Sequence, residues 1–454
     1  MRFRMAMVGV FLVAGVASAA GIDVRATRGA KVTADEPQYL LTAISLWEDQ
    51  SLDISDEIAE ERFRPFHEIS LNRQTQPQPD GSEISPHDPL LGLLLAAPVG
   101  LGGWEAAKWF LATINGLVAV MMLWIAVRRM DSPVLPAALV VSLFGAAAPL
   151  VIYGHQVYPE IVAAACVTLA FAALTGPMTR WTIVTSVAAI VALPWLSIKY
   201  TPVACVIAAV LLSRANRVKG ARTAWAILGC LVVAGAAFVA AHLAWYGGLT
   251  PYAVGDHFAS TGEFTVVGTN VDLIGRSRRL VGLMFDNTFG IAVWQPAYAL
   301  VPVALGALWK VRPDHWNLSL ALVATGWLNA TFVALTMQGW WSPGRQVVLV
   351  LPVAVLAVIW WMNESRARFL VTALLGSLGV ITYAWLVRDG LSGRITWVVD
   401  FFETRAFTYR VLSQVTPDYL NVTTSTWVLH GLWGSLAVGA LGWGYRKARP
   451  SSRR

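Results

Sequence analysis

The chain has 454 residues, 56% of them hydrophobic and 13% charged, with a mean hydropathy of +0.57. A soluble domain carries about a quarter charged residues, so this composition excludes an ordinary soluble enzyme and points to an all-α, polytopic integral membrane protein. The formal net charge of +7 is read as loop charge on one side of a membrane, and no nucleic-acid partner is expected.

The first twenty residues, "MRFRMAMVGVFLVAGVASAA", place Arg2 and Arg4 ahead of an apolar core and a small-residue end. This is the form of a signal peptide, with cleavage after Ala19 or Ala20 as one outcome. The reading carried forward is a retained first span with its basic end inside. Apolar runs long enough to cross a bilayer then recur. About twelve transmembrane helices are expected, near 4–20, 106–127, 132–152, 159–175, 181–198, 200–213, 223–245, 290–309, 316–336, 346–362, 369–387 and 426–444.

Charge orients these spans. Alternate connections contain Arg128, Arg129, Arg180, Arg214, Arg217, Lys219, Arg222, Lys310, Arg312, Arg366 and Arg368. With Arg2, Arg4 and the tail "RKARPSSRR" they make 18 Lys and Arg against the acids Asp131, Asp314 and Glu364. This is the positive-inside pattern with both ends cytoplasmic. Residues 21–88 hold 14 of the 27 acidic residues and six Lys or Arg, and form an external loop. The short apolar stretch "PLLGLLLAAPVGLGG" (89–103) would invert every later loop if it crossed alone. It is therefore laid along the outer surface or made re-entrant, as is the amphipathic helix from Tyr39 to Trp47. Residues 21–105 become an external catalytic loop with interfacial helices, within a single domain spanning 1–454.

The remaining external segments are polar islands: "YGHQVYPE" (153–160), "SIKY" (197–200), the 246–289 loop, "QGWWSPGRQ" (338–346) and the 388–425 loop. Ionisable residues near membrane depth usually line a cavity, and here they converge on one face. Cys166, Cys205 and Cys230 fall in apolar segments, so neither disulfides nor a thiolate metal site is indicated. No HExxH, paired cysteines or P-loop occurs, so no metal site and no nucleotide cofactor is assigned.

"TADEPQYLLTAISLWEDQSLDI" after the first helix resembles the first external loop of GT-C glycosyltransferases, particularly those with an RgtA/B/C/D-like or ArnT/PMT-like domain. "SPHDPLLGLLLAAP", "YGHQVYPEIVAA", "PWLSIKYTP", "GLMFDNTFGIAVWQPAY" and "WWSPGRQVVLVLP" fit in the same order, so the resemblance covers most of residues 1–390. It implies inverting transfer of a sugar from a polyprenyl-phosphate donor to an acceptor hydroxyl at the outer face. The acceptor would be a glycan, a lipid or a protein, and the address a bacterial inner membrane with the active site on the periplasmic side. Such chemistry needs a carboxylate to take the acceptor's proton. It also needs a cationic clamp on the leaving phosphate.

Carried over residue by residue, Asp35 is the expected base, with Glu36 orienting or replacing it. The alternative for Asp35 is a helix cap ahead of Pro37. Glu160 is a candidate acceptor contact, or with Asp35 a divalent-metal contact, against a plain helix-start glutamate. Lys199 and Arg345 are the phosphate-clamp candidates, with interfacial snorkelling as the alternative for Lys199. His87 stands where ArnT-like relatives place a basic phosphate-binding residue. Arg276, Arg278 and Arg279 read as interfacial anchors, and His155 as structural. Tyr158, Trp294, Trp340 and Trp341 could stack on sugar or line the prenyl groove, against belt duty at the membrane interface. The 388–425 loop, with Trp397, Asp400, Phe401, Phe402, Arg405 and Tyr409, is a candidate for acceptor recognition. Two other classes fit twelve helices: a transporter or flippase, and a non-catalytic binder of lipid-linked glycans. A transporter should show related halves and acids buried mid-span, and neither is visible here.

Overall fold

The structure is a computed structural model that describes residues 1–255, 272–334 and 336–448. Part of the expected 246–289 loop (256–271) and the end of the basic tail (449–454) lie outside the described residues. Among the described residues the regular secondary structure is helical, and the only β-pairs are isolated bridges such as Thr27 with Ala30.

In chain order the helices are α1 (Arg2–Ala19), α2 (Glu36–Glu48), α3 (Ser55–Ala59), α4 (Leu90–Arg129), α5 (Val134–Gly145), α6 (Leu150–Tyr153), α7 (Glu160–Leu174), α8 (Arg180–Leu196), α9 (Thr201–Lys219) and α10 (Ala221–Tyr246). The second half continues with α11 (Leu273–Ser277), α12 (Arg279–Phe285), α13 (Ile291–Trp294), α14 (Val301–Val311), α15 (Trp316–Leu328), α16 (Leu351–Met362), α17 (Arg366–Leu391), α18 (Phe407–Ser413) and α19 (Thr424–Lys447). Six helical segments among the described residues are long and apolar enough to cross a membrane, and four more apolar helices are shorter. The chain is a multi-pass membrane protein.

Several expected spans are broken, each for a local reason. The run 132–152 ends at Gly145, because Pro149 interrupts it and α6 begins only at Leu150. The run 290–309 divides at Gln295, which leaves helical geometry (φ −135°, ψ 92°) ahead of Pro296. The run 316–336 leaves the α-helix at Leu328 for a π-turn over Asn329–Val333. The run 346–362 opens with a 3-10 stretch, Arg345–Val350. These breaks fall at the end of the bundle where the polar islands gather, and they bring irregular backbone into a protein-lined cavity.

The stretch 89–103 is helical and joins the following span as one 40-residue helix, α4, bent at Gly102 and Gly103. Gly103 has φ 70°, a conformation natural to glycine, which lets the arm 90–101 turn away from the span. The arm carries α2. A side chain at Gly92 would meet Thr42 at 2.8 Å, and one at Gly100 would run into the indole of Trp47. The arm and α2 therefore pack on each other.

At the opposite end, the Arg128 guanidinium sits 5.0 Å over Phe3 and Arg214 donates to the Gly176 carbonyl at 2.9 Å. The basic connections are thus spatially gathered, away from the acidic loop.

Helix α19 packs on α14 through glycines. A Cβ at Gly306 would strike the Leu441 carbonyl, and one at Gly444 the Val303 carbonyl. Close backbone approach of this kind is how membrane helices associate. Gly444→Val is expected to push the two helices apart and destabilise the protein by about 1–3 kcal/mol. Thermal unfolding in detergent would show it as a lower midpoint, while Gly442→Val, with open space around it, leaves the midpoint unchanged.

Candidate active site

The site is built where α2 begins. Asp35 occupies the cap position, yet its side chain makes no capping hydrogen bond. Glu36 instead ties the helix start to its surroundings: one carboxylate oxygen accepts the Thr33 N–H at 3.0 Å, the other the Val157 N–H at 2.8 Å. Glu36 is wholly buried, and burial pushes its carboxyl above the usual range. With both oxygens committed to backbone amides, Glu36 is not placed to take a proton from an acceptor. It positions the helix start against residues 153–159 and leaves Asp35 free to point into the cavity.

Glu36→Ala would orphan two buried N–H groups, at about 1–3 kcal/mol each. A fall in stability of that order, read by tryptophan-fluorescence unfolding, is the expected result.

Across the cavity the loop carrying Arg345 is held by the segment 153–158. The Tyr153 hydroxyl donates to the Ser342 carbonyl at 2.5 Å, and the Gln156 amide donates to the Ser342 hydroxyl at 2.9 Å. Gly344, at φ 80°, makes the turn, and a side chain there would also press on Ile291 and Pro149. The Arg345 guanidinium then lies 4.1 Å from the Tyr158 ring centroid and 5.0 Å from that of Trp341. It donates to Asp35 Oδ2 at 2.7 Å and to Glu160 Oε1 at 3.0 Å. Lys199 donates to the same Glu160 oxygen at 2.8 Å, and Asn329 holds the Lys199 carbonyl at 2.8 Å. Four residues expected from separate loops thus form one chain, Asp35–Arg345–Glu160–Lys199, with two negative and two positive charges.

Exposure separates the two acids. The Asp35 side chain is 22% exposed and the Glu160 side chain 0%. Asp35 can meet a substrate. Glu160 cannot be an acceptor contact as expected; it is the buried counter-ion that holds Lys199 and Arg345 together. Burial alone would raise the Asp35 carboxyl, but Arg345, helped by His87 and Lys199, outweighs it and brings it down to about 2.

His87 stacks on Tyr39 with centroids 4.7 Å apart and bonds Gln74 at 3.2 Å. Burial, together with the charges of Arg345 and Lys199, brings the imidazole down to about 4 against the pull of Asp35. His87 therefore stands in the site as a neutral, hydrogen-bonding imidazole at pH 7.

Other expectations fall outside the site. Trp294 is buried and stacks on Tyr409 at 4.0 Å, so it lines no sugar pocket. Trp340 is exposed, while Trp341 alone of the pair covers Arg345. Arg276 and Arg279 donate to the carbonyls of Phe332 and Ala334 and so brace the turn that presents Asn329. His155 is buried against Trp397, as expected of a structural residue. In the 388–425 loop, Trp397 donates to the Gly21 carbonyl at 3.0 Å and Asp400 pairs with Arg28 at 3.0 Å. Those side chains tie this loop to the start of the acidic one instead of facing an acceptor.

Three participants escaped the sequence reading. Asp88 is hydrogen-bonded to His242 Nε2 at 3.0 Å and accepts the Ile198 N–H at 3.0 Å, fixing the turn that carries Lys199. Lys108, buried inside α4, donates to the Lys31 carbonyl at 2.9 Å. Tyr39 supplies the stacking face for His87. The available signal was an ionisable residue inside an apolar span, which applies to both His242 and Lys108.

From Lys199 an apolar groove of about 880 Å³ runs between α8, α9 and α10, lined by Val191, Trp195, Cys205, Phe238 and Tyr252 among others. Trp195 divides it from a second cavity of about 870 Å³ under α2 and the α4 arm. The expected metal contact of Asp35 with Glu160 does not fit this arrangement, because both acids give an oxygen to Arg345, whose guanidinium already stands between them.

No protein-family model and no curated protein matches the sequence. Two crystal structures of ArnT from Cupriavidus metallidurans share its architecture. One, bound to undecaprenyl phosphate, has a TM-score of 0.54 at 14% identity over 97% of this chain and 77% of that one. The other, in the apo state, has a TM-score of 0.54 at 14% identity over 96% and 76%. The chain has the fold of ArnT. The resemblance to GT-C glycosyltransferases drawn from the sequence holds at the level of fold.

Proposed function

We propose that the protein transfers a sugar from a polyprenyl-phosphate donor to an acceptor hydroxyl on the external, periplasmic side of a bacterial inner membrane, with inversion at the anomeric carbon. The observation that carries this reading is the Asp35–Arg345–Glu160–Lys199 chain at the mouth of a long apolar groove. The groove suits a prenyl chain, and Lys199 at its head suits the phosphate. An ArnT structure of the same fold holds undecaprenyl phosphate, which supports a lipid partner of that class.

The roles follow from the charges. Arg345 and Lys199 stabilise the negative charge that develops on the departing phosphate. Asp35, partly exposed, accepts the acceptor hydroxyl's proton as the new C–O bond forms and the anomeric C–O bond to phosphate breaks. Without a donor, Arg345 depresses Asp35 to about 2 and makes it a poor base. A phosphate drawing on Arg345 and Lys199 weakens that hold, so the base strengthens once the donor is in place. Trp341 and Tyr158 position the guanidinium from two sides.

The test uses purified protein in liposomes, a panel of radiolabelled polyprenyl-phosphate sugars and a crude envelope acceptor extract. Label moving to acceptor supports the proposal. Donor binding with no transfer from any donor would overturn it in favour of a non-catalytic glycan binder, and label crossing the bilayer unchanged in favour of a flippase.

A further inference from the structure

We infer that a pocket between α4, α7 and α8, at the basic end of the bundle, binds the phosphate headgroup of an anionic membrane phospholipid, with Arg129 as its main contact. The pocket has a volume of about 450 Å³. Its walls are Trp124 and Arg129 of α4, Leu169 of α7, Gly176 of the connecting turn, and Trp181 and Thr182 of α8. It is remote from the reaction centre. Helix α7 begins at Glu160, in the charged chain, and ends at Leu174 beside the pocket, so the two sites stand about 20 Å apart along one helix.

The cations of this pocket lack anions. The Arg129 guanidinium lies 4.8 Å from the Trp124 ring centroid, and a side chain at Gly176 would strike its Nη2. Its Nε is buried without a hydrogen-bond partner. Arg214 reaches the same turn from α9: its Nη2 donates to the Gly176 carbonyl at 2.9 Å, and its Nη1 is also buried without a partner. Arg180, at the rim, lies 5.3 Å from the Trp181 ring centroid. Among the described residues none of these three arginines forms an ion pair. The acids at this end do not compensate. Glu364 is taken by Arg368 at 2.5 Å, and Asp131 and Asp314 are exposed. Buried polar groups and charges are costly to leave unmatched, so the pocket is built for a negative group.

The chemistry selects the ligand. A guanidinium presents a fork of donors that matches phosphate oxygens, and basic pockets between membrane helices take anionic lipid headgroups. Helix α8 starts at the pocket's edge, capped by Thr179, and its positive pole adds to the attraction. A water-soluble phosphate shares this chemistry. The mouth favours a lipid: Trp181 is 65% exposed and Leu169 44%, which gives acyl chains an apolar path along the bundle while the phosphate stays at Arg129. Tryptophan at such a place suits the membrane interface. The bound lipid would clasp the end of α4 to the α7–α8 turn.

The test is native mass spectrometry of the full-length protein released from detergent with equal amounts of phosphatidylglycerol and phosphatidylcholine, beside thermal unfolding with each lipid separately. The expected result is one phosphatidylglycerol retained after phosphatidylcholine has been stripped, and an unfolding midpoint raised by phosphatidylglycerol alone. Arg129→Gln should weaken that binding at least about tenfold, the weight of one hydrogen bond to a charged group, and cancel the midpoint rise. Arg128→Gln, whose guanidinium lies over Phe3 outside the pocket, should leave both unchanged. Thr185→Phe is the second variant. It fills the pocket from α8 with every charge kept, and it too should lose the lipid, whether or not Arg129→Gln folds well. Equal retention of phosphatidylcholine overturns the inference, as does a phosphatidylglycerol response that survives in Arg129→Gln or Thr185→Phe. Sodium phosphate that reproduces the midpoint rise without lipid overturns the assignment to a phospholipid. None of these readouts depends on sugar transfer.

Discussion

Asp35→Asn is expected to lower sugar transfer by about 10²–10⁴-fold, the usual contribution of a general base, while donor binding stays intact or tightens. The tightening follows from the geometry. Asp35 and the donor phosphate compete for one guanidinium, and Asp35 holds it at 2.7 Å in the absence of donor. The amide keeps the size of the carboxylate but gives up its charge, so Arg345 is released towards the phosphate. Initial rates in liposomes, set beside direct titration of the same protein with undecaprenyl phosphate, separate the two effects. Unchanged transfer would remove Asp35 from the chemistry altogether. Loss of phosphate binding together with transfer would make it a structural partner of Arg345. Asp35→Glu, with its longer reach, should recover part of the rate.

The second large effect is at Arg345. Arg345→Ala is expected to abolish transfer and weaken phosphate binding by about 2–5 kcal/mol, the range for truncating one member of a buried charge pair. It also strips a counter-charge from Glu160, whose side chain is 0% exposed, leaving Lys199 as its remaining pair. Removing one partner from a buried ion pair costs about 3–5 kcal/mol of stability, so the unfolding midpoint should fall as well. Arg345→Lys should rescue stability better than activity, because an ammonium cannot span Asp35 and Glu160 through two nitrogens while stacking on Tyr158. A double variant with Asp35→Asn should be less damaged than the two single effects added together, since the residues share one contact. Full additivity in that cycle would mean that the Asp35–Arg345 pair carries no coupling. Retained phosphate binding in Arg345→Ala would shift the clamp to Lys199 alone.

These expectations rest on residues distributed over the chain, and the sequence exposed them unevenly. Asp35 was readable because two adjacent acids ahead of an amphipathic helix are unusual, and the resemblance to GT-C loops gave them a use. Which of the two acids faces the cavity was not readable. Both suit a helix start, and the choice depends on the Val157 amide, 121 positions away from Glu36, which claims its second oxygen. Lys199 stood out as a lone lysine between two short spans, and Arg345 as the basic residue of the turn after "WWSPG". Their common partner, Glu160, looked like a separate site because nothing local shows that one oxygen serves both. His87 was expected as a phosphate contact from its place in the GT-C pattern; burial beside Tyr39 and the charges of Arg345 and Lys199, which hold its imidazole below the ordinary range, were not readable there.

The sequence by itself determined the class of the protein, its approximate spans and the gathering of polar segments on one face. Those properties depend on apolar run length and on the sign of loop charge, both local quantities. Tertiary structure decided where the spans break, that the arm 90–101 bends at Gly102 and Gly103 to carry α2, and that Asp35, Arg345, Glu160 and Lys199 form one linked set. Breaks, bends and ion pairs depend on which distant groups meet in low-dielectric surroundings, where an unpaired charge is too costly to leave. That pairing is fixed only when the helices have packed.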